Sequence, residues 1–387
     1  MQKKKGNYQG GERENLRVGI LTSAISRPSL TPLSNFIDIL SHITPELYLI
    51  SGNEGFRNFK NDSRVQTFGY NYVIERSSFL KICNFLSGQL RCSYFMIRLA
   101  KKVDVWIFFT GGEYLVLPMF IARLLHKPVT LYIPGSAIRD GEFSGDSLVF
   151  IYKYFSKITR KYADRIIIYS ENLIKEWDLE PYRHKILIAH RHFLDKSIFT
   201  VTIPLSNRPL LIGYIGRFSA EKGVQHFVQA LPAILRETKE IKVLIGGDGE
   251  LKENISTSIK ESGLTDRVEL ICWISHNELP LYLNKLRLLV LPSYTEGLPN
   301  IMLEAMACGT PVLATPVGAI PDVIRDGRTG FIMKDNSPQY IAENVIRALE
   351  CPDLARIAEN GRNSVLDLYT FEKTVDRWKK ILITFKE

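Results

Sequence analysis

Short apolar runs alternate with longer helix-compatible stretches along the whole chain, and this alternation occurs twice. The front half contains the runs RVGILT, ELYLIS, VDVWIFF, PVTLYI, RIIIYS and KILIA. The back half contains LLIGYIG, KVLIGG, RVELIC, LRLLVLP, TPVLAT and TGFIM. Strands separated by segments long enough for a helix are typical of parallel sheets with crossover connections. The sequence therefore predicts an α/β protein with two tandem Rossmann-like domains that face a cleft.

The change from one domain to the next is predicted near residues 198–209, where proline and polar residues interrupt the apolar pattern. We assign residues 1–203 to a front domain and residues 204–370 to a back domain. The stretch 371–387 is predicted to be a helix that crosses back to the front domain. Its apolar residues recur at helical spacing: Phe371, Val375, Trp378 and Leu382.

The positive charge of the chain is concentrated in its front half. Residues 1–203 hold 28 Lys and Arg against 18 Asp and Glu, whereas the remainder holds 22 against 23. This asymmetry indicates an anionic partner for the front half, such as lipid headgroups, nucleic acid or an acidic small molecule. Nucleic acid is disfavoured because no basic run is interleaved with aromatic residues.

The basic residues of the front half are predicted to lie on helices. Two groups stand out: Lys153, Lys157, Arg160 and Lys161, within a third of one helix circumference, and Arg91, Arg98, Lys101 and Lys102 on a preceding helix. The far side of the first helix carries Phe155, Ile158 and Tyr162. These cations form either a solvated outer face or a surface that docks on anionic lipid headgroups.

Targeting and metal signals are weak. The polar start of the chain has no apolar run typical of a signal peptide, and no segment reaches the roughly 18 apolar residues that cross a bilayer. The five cysteines show no CxxC spacing, and the HRH at 190–192 has no acidic or cysteine partner at ligand spacing. We therefore predict a cytoplasmic protein without a metal or resident cofactor. The alternative is a peripheral protein at the inner face of the cell membrane.

Glycine-rich strand exits in the back half are candidate ligand sites, because ligands of open parallel sheets bind at the carboxyl ends of strands. In IGRFSAEKG, Gly216 ends a strand, and Arg217 and Lys222 follow in one loop. Two cations there can neutralise a diphosphate; the alternative is a tight turn with solvated charges. The second exit, IGGDGEL, contains Asp248 and is weaker evidence on its own.

The third exit, SYTEGLPNIMLEAMACG, places an anion site between two carboxylates. Its loop and helix start are formed by Gly297, Leu298, Pro299 and Asn300. Free N–H groups and the helix dipole favour a phosphate at such a helix N-terminus. Glu296 precedes the helix and Glu304 lies in its second turn, where both can accept hydrogen bonds from sugar hydroxyls. The alternative is a capping carboxylate and an exposed helix residue.

These motifs carry a family resemblance. The stretches IGRFSAEKGVQHFVQA, LIGGDGEL, VLPSYTEGLPNIMLEAMACGTPV and ATPVGAIPDVIRDGRTGF, between Gly213 and Met333, resemble the donor domain of the retaining GT-B glycosyltransferases of family 4, also called group 1. The resemblance implies that Glu296 and Glu304 form the E-x7-E motif, which contacts the donor sugar and the ribose respectively. It also implies that Arg217 and Lys222 bind the diphosphate, so that Glu296, Arg217 and Lys222 are the catalytic residues.

The front half departs from the family pattern. The position at which many relatives carry a histidine is Pro134 here, and the late Asn-Gly pair is replaced by His192 and Phe193. The residues expected by position on the acceptor side are Ser136, Arg139 and Asp140, although an ordinary polar loop is an equal interpretation.

The resemblance implies a metal-independent, retaining hexosyltransferase of glycan biosynthesis. Its expected donor is a nucleotide-diphosphate sugar, UDP- or GDP-linked, and its acceptor a hydroxyl of a lipid-linked, polysaccharide or small-molecule glycan. The alternatives are a catalytically silent nucleotide-sugar-binding partner subunit and a sugar-nucleotide epimerase of the same fold.

Overall fold

The computed structural model describes residues 16–25, 29–70, 78–145, 149–237 and 240–385, with only the backbone given at 78–82, 137, 140 and 144. The predicted polar start of the chain lies outside these residues. Two parallel sheets with helices confirm the predicted α/β architecture of two tandem Rossmann-like domains. The exact domain limits at 203 and 370 stay a prediction.

The front sheet has the strand order β3-β2-β1-β4-β5-β6-β7. Its strands are β1 Val18–Ile25, β2 Leu47–Asn53, β3 Gln66–Tyr70, β4 Val105–Phe108, β5 Val129–Tyr132, β6 Arg165–Ile168 and β7 Ile186–Ile188. Its helices are α1 Leu30–Ser41, α2 Glu54–Phe59, α3 Ser78–Arg98, α4 Val116–Leu124, α5 Ala137–Ser144, α6 Val149–Tyr162 and α7 Asn172–Glu176. The edge strand β3 was not predicted, because the exposed Gln66 and the partly buried Gly69 interrupt its apolar run.

The back sheet repeats this topology in the order β10-β9-β8-β11-β12-β13. Its strands are β8 Leu211–Ile215, β9 Lys242–Gly246, β10 Val268–Ile271, β11 Leu288–Leu291, β12 Val312–Ala314 and β13 Phe331–Ile332. The later helices are α8 Val224–Glu237, α9 Lys252–Glu261, α10 Leu279–Leu283, α11 Asn300–Ala307, α12 Ile320–Val323, α13 Pro338–Leu349, α14 Leu354–Leu368 and α15 Phe371–Ile383. The strand order reverses direction between β8 and β11, which makes their carboxyl ends the switch point where such sheets bind ligands.

One predicted surface cation is buried. Lys153, Lys157 and Lys161 are exposed on α6, but Arg160 is only 6% exposed. Its guanidinium pairs with the buried carboxylate of Glu113 at 2.5 Å. The prediction that Arg160 belongs to the outer basic face is therefore wrong. Helical spacing gives the direction of a side chain, but it does not reveal that the turn after β4 covers this end of the helix.

The last helix of the chain, α15, packs against the front domain. Trp378 is fully buried, and its ring centroid lies 4.6 Å from that of Phe36 in α1 and 5.1 Å from that of Tyr132 at the end of β5. The Trp378 indole N–H donates to the His190 carbonyl at 3.0 Å, and the Thr374 hydroxyl donates to the His192 carbonyl at 3.0 Å. The HRH segment thus holds α15 through its backbone.

Replacement of Trp378 by Ala should lower the free energy of unfolding of the front domain by about 3–5 kcal/mol, because it leaves a cavity between α1, α15 and the sheet. Urea unfolding followed by fluorescence and circular dichroism measures this loss. The exposed Lys380→Ala variant of the same helix is the control and should unfold like the parent. Equal stability of the two variants would contradict this role of α15.

Candidate active site

The loops that follow β8 and β11 meet at the switch point of the back sheet. Lys222, in the turn after β8, extends its Nζ to Glu296 Oε1 in the loop after β11, at 2.7 Å. The Ser293 hydroxyl donates to the same oxygen at 2.8 Å. The two side chains are 23% and 11% exposed, so water weakens their attraction less than at an open surface. The structure thus brings together two residues that lie 74 positions apart in the sequence.

Arg217 is also paired with a carboxylate. Its guanidinium contacts Glu221 Oε1, and the Ser219 hydroxyl donates to the same oxygen at 2.6 Å. Glu221 is buried, whereas more than half of the Arg217 side chain is exposed. The sequence analysis missed Glu221. The signal was available, because this glutamate stands inside SAEKG, between the two candidate cations, at helical distance from Arg217.

The glycine-rich turn after β9 packs directly on the turn after β8. The Phe218 N–H donates to the Asp248 carbonyl at 2.9 Å, and the Leu251 N–H donates to the Phe218 carbonyl at 3.0 Å. The Asp248 carboxylate is about half exposed and lies 3.7 Å from Lys252 Nζ. Gly216 adds to the contact between the two turns, since its N–H donates to the Gly246 carbonyl at 3.0 Å. The structure therefore places Asp248 beside Arg217's loop, at the same sheet edge.

The helix α11 follows the loop that carries Glu296. It begins at Asn300, within the predicted helix start, and Pro299 is the N-cap. Proline has no side-chain oxygen that could accept from the first helical N–H groups, which leaves them available to an anion. Gly297 and Leu298 complete the loop that connects Glu296 to this helix.

Glu304, in the second turn of α11, accepts a contact from a residue that the sequence analysis did not select. Its Oε1 lies 3.1 Å from His276 Nε2, in the segment after β10. The Glu304 carboxylate is 12% exposed and raises the pKa of His276 above its ordinary value, mainly through this hydrogen bond. A lone histidine on a polar loop carries no periodic signal, so its position next to Glu304 could not be read from the sequence.

The front domain contacts the candidate site directly. Glu176, at the end of α7, accepts from the Gly318 N–H with both carboxylate oxygens at 3.0 Å. Asn172 Nδ2 lies 3.4 Å from Asp322 Oδ1. The Phe143 ring of α5 lies 5.0 Å from the Tyr294 ring, next to Glu296. Burial raises the pKa of Glu176. The two domains are thus in contact around the loop that carries Glu296.

Two glycines permit this approach. A Cβ on Gly297 would lie 2.3 Å from the Pro134 carbonyl oxygen and 2.9 Å from the Tyr169 ring of the front domain. Gly318 has φ +59°, and a Cβ there would lie 2.2 Å from the Glu296 carbonyl oxygen. Both positions leave no room for a side chain.

The predicted acceptor-side residues have structural contacts of their own. Ser136 is the N-cap of α5 and accepts from the Arg139 N–H at 3.2 Å. The Arg139 guanidinium donates to the Glu176 carbonyl at 2.8 Å and lies 3.3 Å from Glu142. The side chain of Asp140 lies outside the described residues. A role of these three residues in acceptor binding stays a prediction.

Within the described ranges, no three His, Cys, Asp or Glu side chains come together as a metal site. The ring centroids of the buried His190 and His192 lie 6.1 Å apart. Burial lowers the pKa of His190 to about 3. None of the described helices combines the length and apolar character that crossing a membrane requires.

Residues 198–364 match the family described as glycosyl transferases group 1. Two similar proteins are the N-acetyl-alpha-D-glucosaminyl L-malate synthase of Bacillus anthracis and the alpha-D-kanosaminyltransferase of Streptomyces kanamyceticus. The first is 33% identical over 57% of this chain and 59% of its own length. The second is 34% identical over 41% of either chain. The chain thus spans about half the length of these relatives.

Solved structures share the whole fold. Alr3699/HepE of Anabaena, crystallised with UDP, has a TM-score of 0.76 at 15% identity and covers 95% of this chain and 100% of its own. The sucrose-phosphate synthase of Thermosynechococcus elongatus has a TM-score of 0.73 at 17% identity, over 95% and 98% of the two chains. Residues 198–364, less than half of the chain, thus resemble the group 1 glycosyltransferases, and the two domains form the GT-B fold.

The close approach at Gly318 can be tested against a matched glycine. Gly318 and Gly327 have φ of +59° and +66°, but a Cβ on Gly327 would meet nothing within 4 Å. Alanine should therefore cost roughly 1 kcal/mol of backbone strain at Gly327 and clearly more at Gly318, where it also displaces the Glu296 backbone. Thermal unfolding of the two variants measures the difference. Equal losses would show that the loop has room to adapt.

The contact between Glu304 and His276 predicts a pH-dependent signal. The pKa of His276 should exceed about 6.5, its ordinary value. The stability that this contact contributes is then present below that pH and is lost as pH rises through the folded-state pKa. Nuclear magnetic resonance titration of the imidazole measures the pKa, with His276→Gln to assign the signal. In Glu304→Gln the pKa should fall toward the ordinary value; an unchanged pKa would refute the contact.

Proposed function

We propose that this chain is a retaining, metal-independent glycosyltransferase of family 4. It would transfer a hexosyl unit from a UDP- or GDP-linked sugar to a hydroxyl of a lipid-linked, polysaccharide or small-molecule acceptor. The group 1 match of residues 198–364 and the GT-B fold support the reaction class. The UDP bound to HepE supports a nucleoside diphosphate donor. We also propose that the protein is cytoplasmic.

One observation carries the proposal: Lys222 and Glu296 are in contact at 2.7 Å beside the N-terminus of α11. A diphosphate next to the first helical N–H groups would meet the Lys222 ammonium as well as the helix dipole. The sugar attached to that diphosphate would then lie near the Glu296 carboxylate. Arg217 can rotate from Glu221 toward the same anion, since much of its side chain is exposed.

In the proposed reaction, the bond between the anomeric carbon and the phosphate oxygen breaks, and the acceptor oxygen bonds to the same carbon on the same face. The acceptor proton passes to the departing phosphate oxygen, so the step needs no separate protein base. Negative charge grows on the phosphate while positive charge grows on the sugar ring. Lys222, Arg217 and the helix N–H groups would stabilise the former, and Glu296 the latter.

Glu304 is proposed to accept hydrogen bonds from the ribose hydroxyls. It lies one to two helical turns beyond the proposed phosphate site, on the same helix. A bound ribose would compete with His276 for the carboxylate. Asp248 and Gly216 belong to the neighbouring loop and complete the proposed donor site.

The test is a transfer and hydrolysis assay with UDP-, GDP-, ADP- and TDP-sugars, with and without EDTA, in which the anomeric configuration of the product is determined. Turnover should persist in EDTA and retain configuration. Lys222→Ala and Arg217→Ala should each lower turnover by roughly 10²-fold or more, because each removes a stabilising charge. Glu304→Ala should weaken donor binding, measured by calorimetry. Exposed cations of the same domain supply matched controls, Lys260→Ala and Arg236→Ala.

Near-parental turnover in all three site variants would refute the site assignment. Tight nucleotide-sugar binding without turnover, restored by a second protein, would instead indicate a silent partner subunit. Interconversion of free nucleotide sugars without transfer would indicate an epimerase. Inverted configuration would exclude the proposed retaining mechanism.

A further inference from the structure

The helix α3 carries a stripe of exposed apolar side chains. Leu86, Leu90, Tyr94 and Ile97 are each more than half exposed. Their spacing of four, four and three residues places them on one side of the helix, because each residue advances by about 100°. The opposite side is buried, with Cys92 and Met96 fully inside the front core. A helix with two apolar sides has a second surface to cover.

The stripe continues onto two neighbouring helices. On α4, Phe120 and Leu124 are exposed, and on α6, Phe150 and Tyr154 are exposed. Rings join the helices: Phe85 of α3 stacks on Phe155 of α6 at 5.9 Å between centroids, and Phe120 lies 5.2 Å from Tyr162. We call the exposed side of α3, α4 and α6 the front helical face. Ordinary protein surfaces expose apolar residues singly, whereas here the exposed apolar residues form one continuous surface.

The charge of the front helical face has one sign. Apart from Arg160, which is buried against Glu113, the segments of α3, α4 and α6 contain seven Lys and Arg and no Asp or Glu. Surface helices normally mix both signs, as α9 and α15 do in this chain. Arg91 and Arg98 flank the apolar stripe, and Lys101 and Lys102 follow the helix. On α6, Lys157 and Lys161 are exposed beside Tyr154.

We infer that the front helical face docks on an anionic lipid bilayer. Apolar side chains on one side of a helix, bordered by Lys and Arg, insert into the boundary between headgroups and acyl chains while the cations bind acidic headgroups. Lys and Arg stems add to this contact, because their methylenes lie in the boundary region while their charges reach the headgroups.

Charge distinguishes a bilayer from a second copy of the chain. A two-fold dimer through this face would set the same surface against itself. Its cations would then oppose cations, with no carboxylate on the three helices to neutralise them. An anionic bilayer offers the complementary charge and an apolar interior together.

The front helical face also reaches the rim of the cleft. Lys153 of α6 pairs with Glu142 of α5 at 2.5 Å. The ring of the next residue, Phe143, lies 5.0 Å from that of Tyr294 in the back domain. A bilayer on this face would therefore lie beside the front wall of the candidate site. If the proposed transferase function holds, an acceptor anchored in that bilayer could reach the cleft without leaving the membrane surface.

The experiment is flotation of the purified full chain with vesicles of phosphatidylcholine, alone or mixed with phosphatidylglycerol, at low and physiological salt. The protein should float with the mixed vesicles only, and less at higher salt because screening weakens the headgroup contacts. The Leu90→Ser/Leu124→Ser variant and the Lys157→Glu/Lys161→Glu variant should each reduce the bound fraction by roughly tenfold or more.

Matched controls alter exposed residues elsewhere. Leu281→Ser/Leu368→Ser removes apolar side chains of the back domain, and Lys260→Glu/Lys380→Glu reverses charges outside the front helical face. Both should float like the parent. Lys222→Ala should also float like the parent, so that failure of the transferase proposal does not affect this result.

Equal flotation with neutral and anionic vesicles, or unchanged flotation of the two face variants, would overturn the inference. Light scattering without lipid provides the other check. A dimer that Leu90→Ser/Leu124→Ser converts to monomer, together with no vesicle binding, would show that the face is covered by a second copy instead.

Discussion

The candidate active site depends on one ion pair, between Lys222 and Glu296. Each partner follows a different strand, and the two strands are neighbours only because the sheet changes direction between β8 and β11. The pair adds a side-chain contact between two loops that are also joined by the backbone, since the Tyr294 N–H donates to the Glu221 carbonyl at 2.8 Å. The pair also holds a cation and a carboxylate in a partly buried position. An incoming anion could there pair with Lys222 while its sugar contacts Glu296.

A second buried cation holds the chain that leads into the back domain. The Arg208 guanidinium donates to the carbonyls of Ile203, Leu286 and Cys308 at 2.9, 3.0 and 2.7 Å, and to the Thr310 hydroxyl at 2.7 Å. Its burial lowers the pKa to about 10. This residue connects the linker to β11 and to the end of α11, the two elements on either side of Glu296.

The sequence predicted the fold well because each central strand is a near-continuous apolar run, as parallel strands covered on both sides must be. The edge strand β3 was not predicted because one side of it faces water. The charged residues of the site were found where glycine-rich turns and the helix start restrict the backbone. His276 was missed and Arg160 was misplaced, because each depends on a tertiary neighbour, Glu304 and Glu113 respectively. Glu221 was missed although its partners Ser219 and Arg217 lie only two and four residues away in the same loop.

The position of α15 has a consequence for how the chain is made. The front sheet is complete in sequence by Ile188, yet its core contains Trp378 and the surrounding side chains of the last helix. During synthesis, the domain that emerges first must wait for the residues that emerge last. Until then, Phe36 and Tyr132 border an open apolar groove. The front domain therefore cannot finish folding on the ribosome until α15, which follows the whole back domain in the sequence, has emerged.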